Sequence, residues 1–161
     1  MLPYHLKPGD RIGIVAPSAP VTAEVEEKFN NGIACLHGMG FEVSLGRHVH
    51  STTWQHGAAP QEKAADINDM FADPTIQAIM CAQGGETANA CLPHLDFNLI
   101  RKNPKIFVGI SDITVLLNGI HQKTGLITFH GSDVIWGFGR QPQSYDQEEW
   151  TARLCDGKIG P

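Results

Sequence analysis

The 161-residue sequence contains no apolar run approaching the roughly 20 residues that a membrane-crossing helix needs. Its opening stretch, MLPYHLKPGDR, lacks the basic-then-apolar order of a signal peptide, which makes the cytoplasm the expected compartment. The four cysteines (Cys35, Cys81, Cys91, Cys155) show neither CxxC spacing nor a disulfide-dense pattern. Reduced thiols suit a cytosolic protein, and Cys81, inside an apolar run, reads as a small core residue. The 12 lysines and arginines are scattered against 17 acidic residues, for a net charge of -5. No basic cluster is offered to a nucleic acid or an anionic membrane, so neither is an expected partner. Internal repeats and low-complexity segments are also missing.

What is present is an ordinary globular composition, 42% hydrophobic and 18% charged, in a chain long enough for one sizeable core. Short apolar runs alternate with amphipathic stretches. RIGIVAP (11–17) reads as a buried strand closed by proline. Thr22 is placed to cap the next helix, whose first turn carries Glu24, Glu26 and Glu27 and whose apolar face is Val25, Phe29, Ile33 and Leu36. Gly38 and Gly40 end it. A second strand covers 41–45, and a helix over 60–71 turns Ala64, Ile67, Met70 and Phe71 inward. TIQAIMCA is the third strand, followed at once by Gly84-Gly85. A short helix lies near 88–92 and another is capped by Asp96. KIFVGI (105–110) is the fourth strand and 112–123 the helix behind it, ended by Gly125. LITFHG is the fifth strand.

This alternation, with connections long enough for crossovers, predicts an α/β fold: a parallel sheet with helices on both faces, a flavodoxin-like or Rossmann-like three-layer domain. In such sheets the ligand site lies outside the carboxyl ends of the strands. Pro17-Ser18, Gln83-Gly84-Gly85, Ile110-Ser111-Asp112 and His130-Gly131 all emerge at that edge. Beyond residue 131 the pattern weakens into WGFGRQPQSYD and then TARLCDGKIGP. The expected organisation is an α/β domain over 1–135 and a connecting segment over 136–161, stopping at Gly160-Pro161 as though at a domain boundary.

Three constellations could carry chemistry. In Val108-Gly109-Ile110-Ser111-Asp112, a serine on a sharp strand-to-helix turn presents its hydroxyl outward, and amides at the helix start can face a developing oxyanion. The pattern departs from the G-x-S-x-G elbow, since Thr-Val follows Ser111-Asp112-Ile113; a helix cap at Ser111 or Asp112 is the competing reading. Gln83-Gly84-Gly85-Glu86 lets backbone N–H groups turn toward a ligand, as an oxyanion hole requires, or is simply a tight turn. His48, His50 and His56 share one loop, yet no carboxylate or cysteine at ligand spacing joins them, so no metal site is expected. His130 ends the fifth strand at the active edge, as a base or as a wall residue. His94 and His121 read as structural. Within the chain Ser111 therefore has no obvious histidine and carboxylate partners.

The segments LKPGDRIGIVAPSAP, QGGETANACLPHLDFNLIRKNPKIFVGISDIT and KTGLITFHG, in this order across about residues 6–131, resemble the LD-carboxypeptidase family of serine peptidases. That family includes the muramoyltetrapeptide carboxypeptidases and the microcin C immunity peptidases. The resemblance implies Ser111 as nucleophile and an oxyanion hole from the backbone N–H groups of Gly85 and Asp112. It implies release of a C-terminal D-amino acid from an L,D peptide bond of a small peptide substrate, without metal or other cofactor. It further implies a Ser-His-Glu triad whose histidine and glutamate come from a C-terminal domain of the same enzyme, and a homodimer. GGETAN stands where murein carboxypeptidases have a GGYGS-type loop and looks closer to the GG-acidic-x-x-N form of the immunity-like branch. Gly84, Glu86, Asn89 and His130 are the expected substrate contacts, Asn89 having a helix cap as its alternative. An immunity-type peptidase acting on a peptidyl-nucleotide is the alternative activity. A non-catalytic binding domain retaining the fold is the competing class, with Trp136, Phe138 and Trp150 as candidates for an exposed apolar docking face.

Overall fold

The computed structural model describes residues 1–54, 56–141 and 144–158. Five short strands, β1 (Arg11–Val15), β2 (Glu42–Leu45), β3 (Ala78–Cys81), β4 (Ile106–Gly109) and β5 (Phe129–His130), form one sheet in the order β2-β1-β3-β4-β5. Every pairing is parallel, with Ile12 opposite both Val43 and Ala78, Ile79 opposite Phe107, and Gly109 opposite His130. The order 2-1-3-4-5 is that of flavodoxin-like doubly wound sheets, whose direction of winding reverses between β1 and β3.

The inner strands β1, β3 and β4 are covered on both faces, which is why they read as continuous apolar runs rather than as alternating ones. One face carries α1 (Glu26–Gly38) and α5 (Ser144–Leu154). Phe29, Leu36, Phe41, Phe138 and Trp150 pack there against Ile14, Met80 and Val108. The other face carries α2 (Pro60–Ala72), α3 (Phe97–Lys102) and α4 (Thr114–Thr124). There Ala64, Ile67, Phe71, Ile100 and Leu116 meet Val15, Ile79 and Phe107. Adjacent residues of one strand thus serve opposite layers, as the two-residue period of a strand requires.

Local signals act where expected at several ends. The Asp96 carboxylate accepts the N–H groups of Asn98 and Leu99 and caps α3. Gly125, at φ 74°, closes α4 in the left-handed conformation. The helix behind β4 opens with a 3₁₀ turn over Ser111–Ile113 before α4 begins.

Two expectations are corrected. Thr22 does not cap α1: its carbonyl accepts the Val25 N–H in a turn, and the helix starts at Glu26 with no side-chain cap. Phe138 and Trp150 do not form an exposed face. They are 1% and 6% exposed, and the Trp150 indole packs edge-on against Phe41 and Phe138 at centroid distances of 5.5 and 5.8 Å. Leu154 is buried with them, and its carbonyl accepts the Leu6 N–H. Only Trp136 of the three is exposed, at 40%. The stop at Gly160-Pro161 lies outside the described residues.

Candidate active site at the switch point of the sheet

Three loops meet beyond the carboxyl ends of β1, β3 and β4. The first is Ala16–Pro20, the second runs from Ala82 to Thr87, and the third is the turn at Ile110–Asp112. At its centre Ser111 is exposed and holds φ 62°, a left-handed conformation rare for a non-glycine residue. Two glycines make this turn possible. A Cβ at Gly109 would lie 2.7 Å from Ile113 Cγ2, so the strand can bend into the helix only without one. A Cβ at Gly84 would lie 2.9 Å from Ser111 Cβ and 3.1 Å from its Oγ. The glycine loop therefore runs directly against the serine hydroxyl, and the space between them belongs to whatever approaches that hydroxyl.

Gly85 adopts φ 155° and is wedged against the β1 loop; a Cβ there would strike Ser18 Oγ and lie 2.8 Å from Ala19 N. The Ala19 N–H donates to Gly84 O, fixing the loop's course. Among the described residues, no protein acceptor is bonded to the amides of Gly85 and Asp112. Gly85 lines the groove that contains Ser111, a shallow space of about 400 Å³ walled also by Gln83, Asp133 and Trp136, and the Asp112 nitrogen lies beside Gly84, 3.5 Å from where a Cβ there would sit.

The wall is braced by Asp133, which the sequence did not single out, and by Gln83 and Trp136, read there only as part of the glycine turn and of a docking face. Asp133 is buried and accepts the N–H groups of Trp136 and Gly137 on one oxygen, at 2.6 and 3.1 Å. Burial pushes its carboxyl above the ordinary aspartate range, and the two backbone donors hold it back in part. Trp136 donates its indole N–H to Gln83 Oε1 at 3.0 Å, while Gln83 donates to Pro20 O at 2.8 Å. Lys28 and Arg140 lie over the indole ring, 5.0 and 4.6 Å from its centroid.

Beneath the groove lies a buried polar cluster. Lys63, only 3% exposed, donates to Ser18 O, His56 O and Thr87 Oγ1 at 2.6, 2.8 and 3.1 Å. All three ammonium protons are used, which is the condition for keeping such a charge inside. Burial depresses its pKa, partly offset by the nearby Asp112 carboxylate. The signal was present in the sequence: Lys63 and Asp66 share the inward stripe of α2 with Ile67 and Met70, where a charge has no place unless it is paired. Cys91 sits nearby with its thiol donating to Pro17 O, and burial raises its pKa to about 11. It is a thiol at neutral pH and no rival nucleophile.

The remaining expected residues are distributed as follows. Gly84 and Gly85 line the Ser111 groove. Glu86 lines an adjoining pocket of about 480 Å³ with Trp54, His56 and Thr87, and that pocket meets the groove at Ala19 and Gly85. Asn89 is exposed in the 3₁₀ turn Ala88–His94 and makes no capping bond. His130 is not brought to the Ser111 groove. It lines a separate pocket of about 270 Å³ between β5 and α5, with Phe129, Tyr145, Glu149 and Arg153. The loop histidines are individually engaged: His48 Nδ1 with Asp66 at 2.8 Å, His50 with Glu26 at 3.4 Å, and the His56 ring with Trp54. Among the described residues, no three His, Cys, Asp or Glu side chains converge as a ligand set.

Fold and site together define a doubly wound parallel α/β domain with a serine on a strained strand-to-helix turn beside the switch point of its sheet. The chain belongs to the family described as the LD-carboxypeptidase N-terminal domain, which it matches over residues 12–131. It is similar to the microcin C7 self-immunity protein MccF of Escherichia coli, 39% identical over 146 residues, which cover 91% of this chain and 42% of that protein. It is also similar to the murein tetrapeptide carboxypeptidase of Pseudomonas aeruginosa, 31% identical over 140 residues, or 86% of this chain and 44% of that one. The solved structure of wild-type MccF without ligand superposes with a TM-score of 0.94 at 36% identity, covering 99% of this chain and 48% of that chain. The chain thus spans less than half the length of these relatives. No helix among the described residues is long and apolar enough to cross a membrane.

Proposed function

We propose that this chain is the nucleophile-bearing half of a cytoplasmic serine carboxypeptidase that hydrolyses an L,D peptide bond and releases a C-terminal D-amino acid, as from a murein tetrapeptide. The observation that carries this reading is the exposed, left-handed Ser111 pressed against Gly84 at the switch point of the sheet. In the reaction Ser111 Oγ attacks the scissile carbonyl carbon, and its proton passes to a histidine supplied from outside this chain. The carbonyl oxygen becomes an oxyanion received by the Gly85 and Asp112 amides. The C–N bond then breaks, the histidine protonates the leaving amine, and water releases the acyl group from Ser111. Gly84, Glu86 and Asn89 contact the peptide. A glutamate orients the histidine; both belong to a C-terminal domain, and the working enzyme is a homodimer.

A second substrate reading has specific support. The protein solved as MccF has been captured with aspartyl sulfamoyl adenosine, and it superposes on this chain far better than the muramoyltetrapeptide carboxypeptidase of Oxalobacter formigenes does, at a TM-score of 0.94 against 0.78. On that reading an aminoacyl or peptidyl group passes to Ser111 and the leaving group is an amide- or phosphoramidate-linked nucleotide. Incubating the full-length enzyme with a murein tetrapeptide and, separately, with an aminoacyl sulfamoyl nucleoside separates the two. Mass spectrometry should show cleavage of one of them, abolished by Ser111→Ala. Unchanged turnover in that variant would falsify the nucleophile assignment.

A further inference from the structure

The two amides assigned to the oxyanion hole lie on different loops, one after β3 and one after β4. Their separation is fixed by neither strand, because both residues lie beyond the ends of the sheet. We infer that the Ser18 hydroxyl and the Asp112 carboxylate are positioning residues that lock these two loops into one preformed hole, with Lys63 anchoring the lock from below. This inference rests on the nucleophile reading above and extends it to side chains that do not touch substrate.

The geometry is closed and half-buried. Ser18, fully inaccessible, donates its hydroxyl proton to Asp112 Oδ2 at 2.5 Å and accepts the Thr87 N–H on the same oxygen at 3.1 Å. Asp112 Oδ2 also accepts the Ala88 N–H at 2.8 Å. The loop after β3 is therefore tied to the elbow residue twice, once directly and once through Ser18. From the other side Gly85 rests on Ser18 and Ala19, and Ala19 N–H holds Gly84 O at 3.1 Å. Moving Ser18 moves Gly85. Lys63 then holds the Ser18 carbonyl, Thr87 Oγ1 and the His56 carbonyl, so the loops after β1 and β3 and the segment before α2 share one cation. Asp112 has two jobs on this reading: its backbone N–H is one of the two donors assigned to the oxyanion, and its carboxylate pulls the neighbouring loop into place.

Such a lock matters because an oxyanion hole works by donors aimed in advance at the charge that develops, and losing one donor costs about 10²–10³ in turnover. A displacement of about 1 Å can cost ~10². The groups removed in the test leave both donors chemically intact. Only their placement changes.

The experiment uses the full-length enzyme and the substrate it is found to cleave. Ser18→Ala and Asp112→Ala should each lower kcat by roughly 10–100-fold while KM stays within about twofold. Asp112→Asn keeps an oxygen acceptor for Ser18 and Ala88 and should recover most of the lost turnover. Affinity for a peptide boronic acid, whose tetrahedral adduct on Ser111 places an oxygen in the hole, should weaken in parallel with kcat, while affinity for the uncleaved substrate in a Ser111→Ala background should not. The double variant Ser18→Ala/Asp112→Ala should lose little beyond Asp112→Ala, since the carboxylate is the common end of both ties. Near-parental kcat in folded Ser18→Ala and Asp112→Ala proteins, or a loss carried by KM, overturns the inference. If Asp112→Ala does not fold, Asp112→Asn and Ser18→Ala decide it through the same kcat and boronate measurements. Failure of the nucleophile reading is separately visible as retained activity in Ser111→Ala.

Discussion

Ser111 holds a left-handed backbone at a cost of about 1–2 kcal/mol for an L-residue. Such strain persists only where surrounding contacts over-determine the conformation. Here they are the Gly84 backbone on one side and the Asp112 carboxylate ties on the other. Asp133 is a comparable case with the opposite remedy. Both backbone donors it holds, Trp136 and Gly137, reach the same carboxylate oxygen, and burial raises its pKa above the unfolded value. A carboxyl with a raised folded-state pKa favours the folded state when protonated, and that contribution is lost as pH rises through the folded pKa. Asp133→Asn retains an oxygen for both donors and removes the buried charge. The variant should therefore melt higher than the parent at pH 7, by up to about 1 kcal/mol of stability. The difference should shrink toward zero in acid, where the parent's carboxyl is itself protonated. Thermal melts of both proteins from pH 7 down to about pH 4 check this. A variant that melts lower at neutral pH would show that the ionised form is favoured there.

At the scale of elements, the least regular stretch in the sequence turns out to be held most closely. The segment 134–139 lies on α1 so tightly that two glycines face the opposing backbone. A Cβ at Gly32 would run into Val134 O, and one at Gly139 would run into Lys28 O. Gly32→Ala must push helix and segment apart, and overpacking of this kind costs ~1–3 kcal/mol. Its melting temperature should fall by roughly 2–12 °C, with the largest loss of hydrogen-exchange protection in α1 and residues 134–139. The same contact explains what was legible beforehand. Strands β1, β3 and β4 announced themselves because a strand buried on both faces is an unbroken apolar run, and the parallel order followed from their spacing by helices. The residues after 135 did not, because Phe138 and Trp150 are single anchors in a polar, glycine-rich stretch with no period to detect. Thr22 misled for a related reason: a turn at residues 23–25 intervenes, and local capping chemistry gave way to the path the chain takes into Val25 and Phe29. Of the site, Ser111 and the glycine pair were visible as turn chemistry. The Ser18, Lys63 and Asp112 ties were not, since they join separate loops across up to 94 positions of the chain.

At the scale of the whole molecule, the question is how much of a hydrolase this chain contains. The sheet supplies the strained serine and, at the same edge, two amides without a protein acceptor among the described residues, and the polar cluster beneath ties their loops together. No histidine lines the groove among the described residues; His130 belongs to the pocket between β5 and α5. A serine without a base has an alcohol's ordinary weak nucleophilicity, while an oxyanion hole alone still leaves catalysis measurably above water. The 161-residue chain, produced alone, should hold its fold and turn over the substrate several orders of magnitude more slowly than the full-length enzyme. Release of D-alanine, followed by a D-amino-acid oxidase assay with both proteins at equal concentration, measures the ratio. Turnover by the short chain within tenfold of the full-length enzyme would place the base inside residues 1–161, and His130→Ala would then be the variant that abolishes it. A ratio of many orders, unaffected by His130→Ala, assigns the base to the other half of the enzyme and leaves this half its preformed hole and its serine.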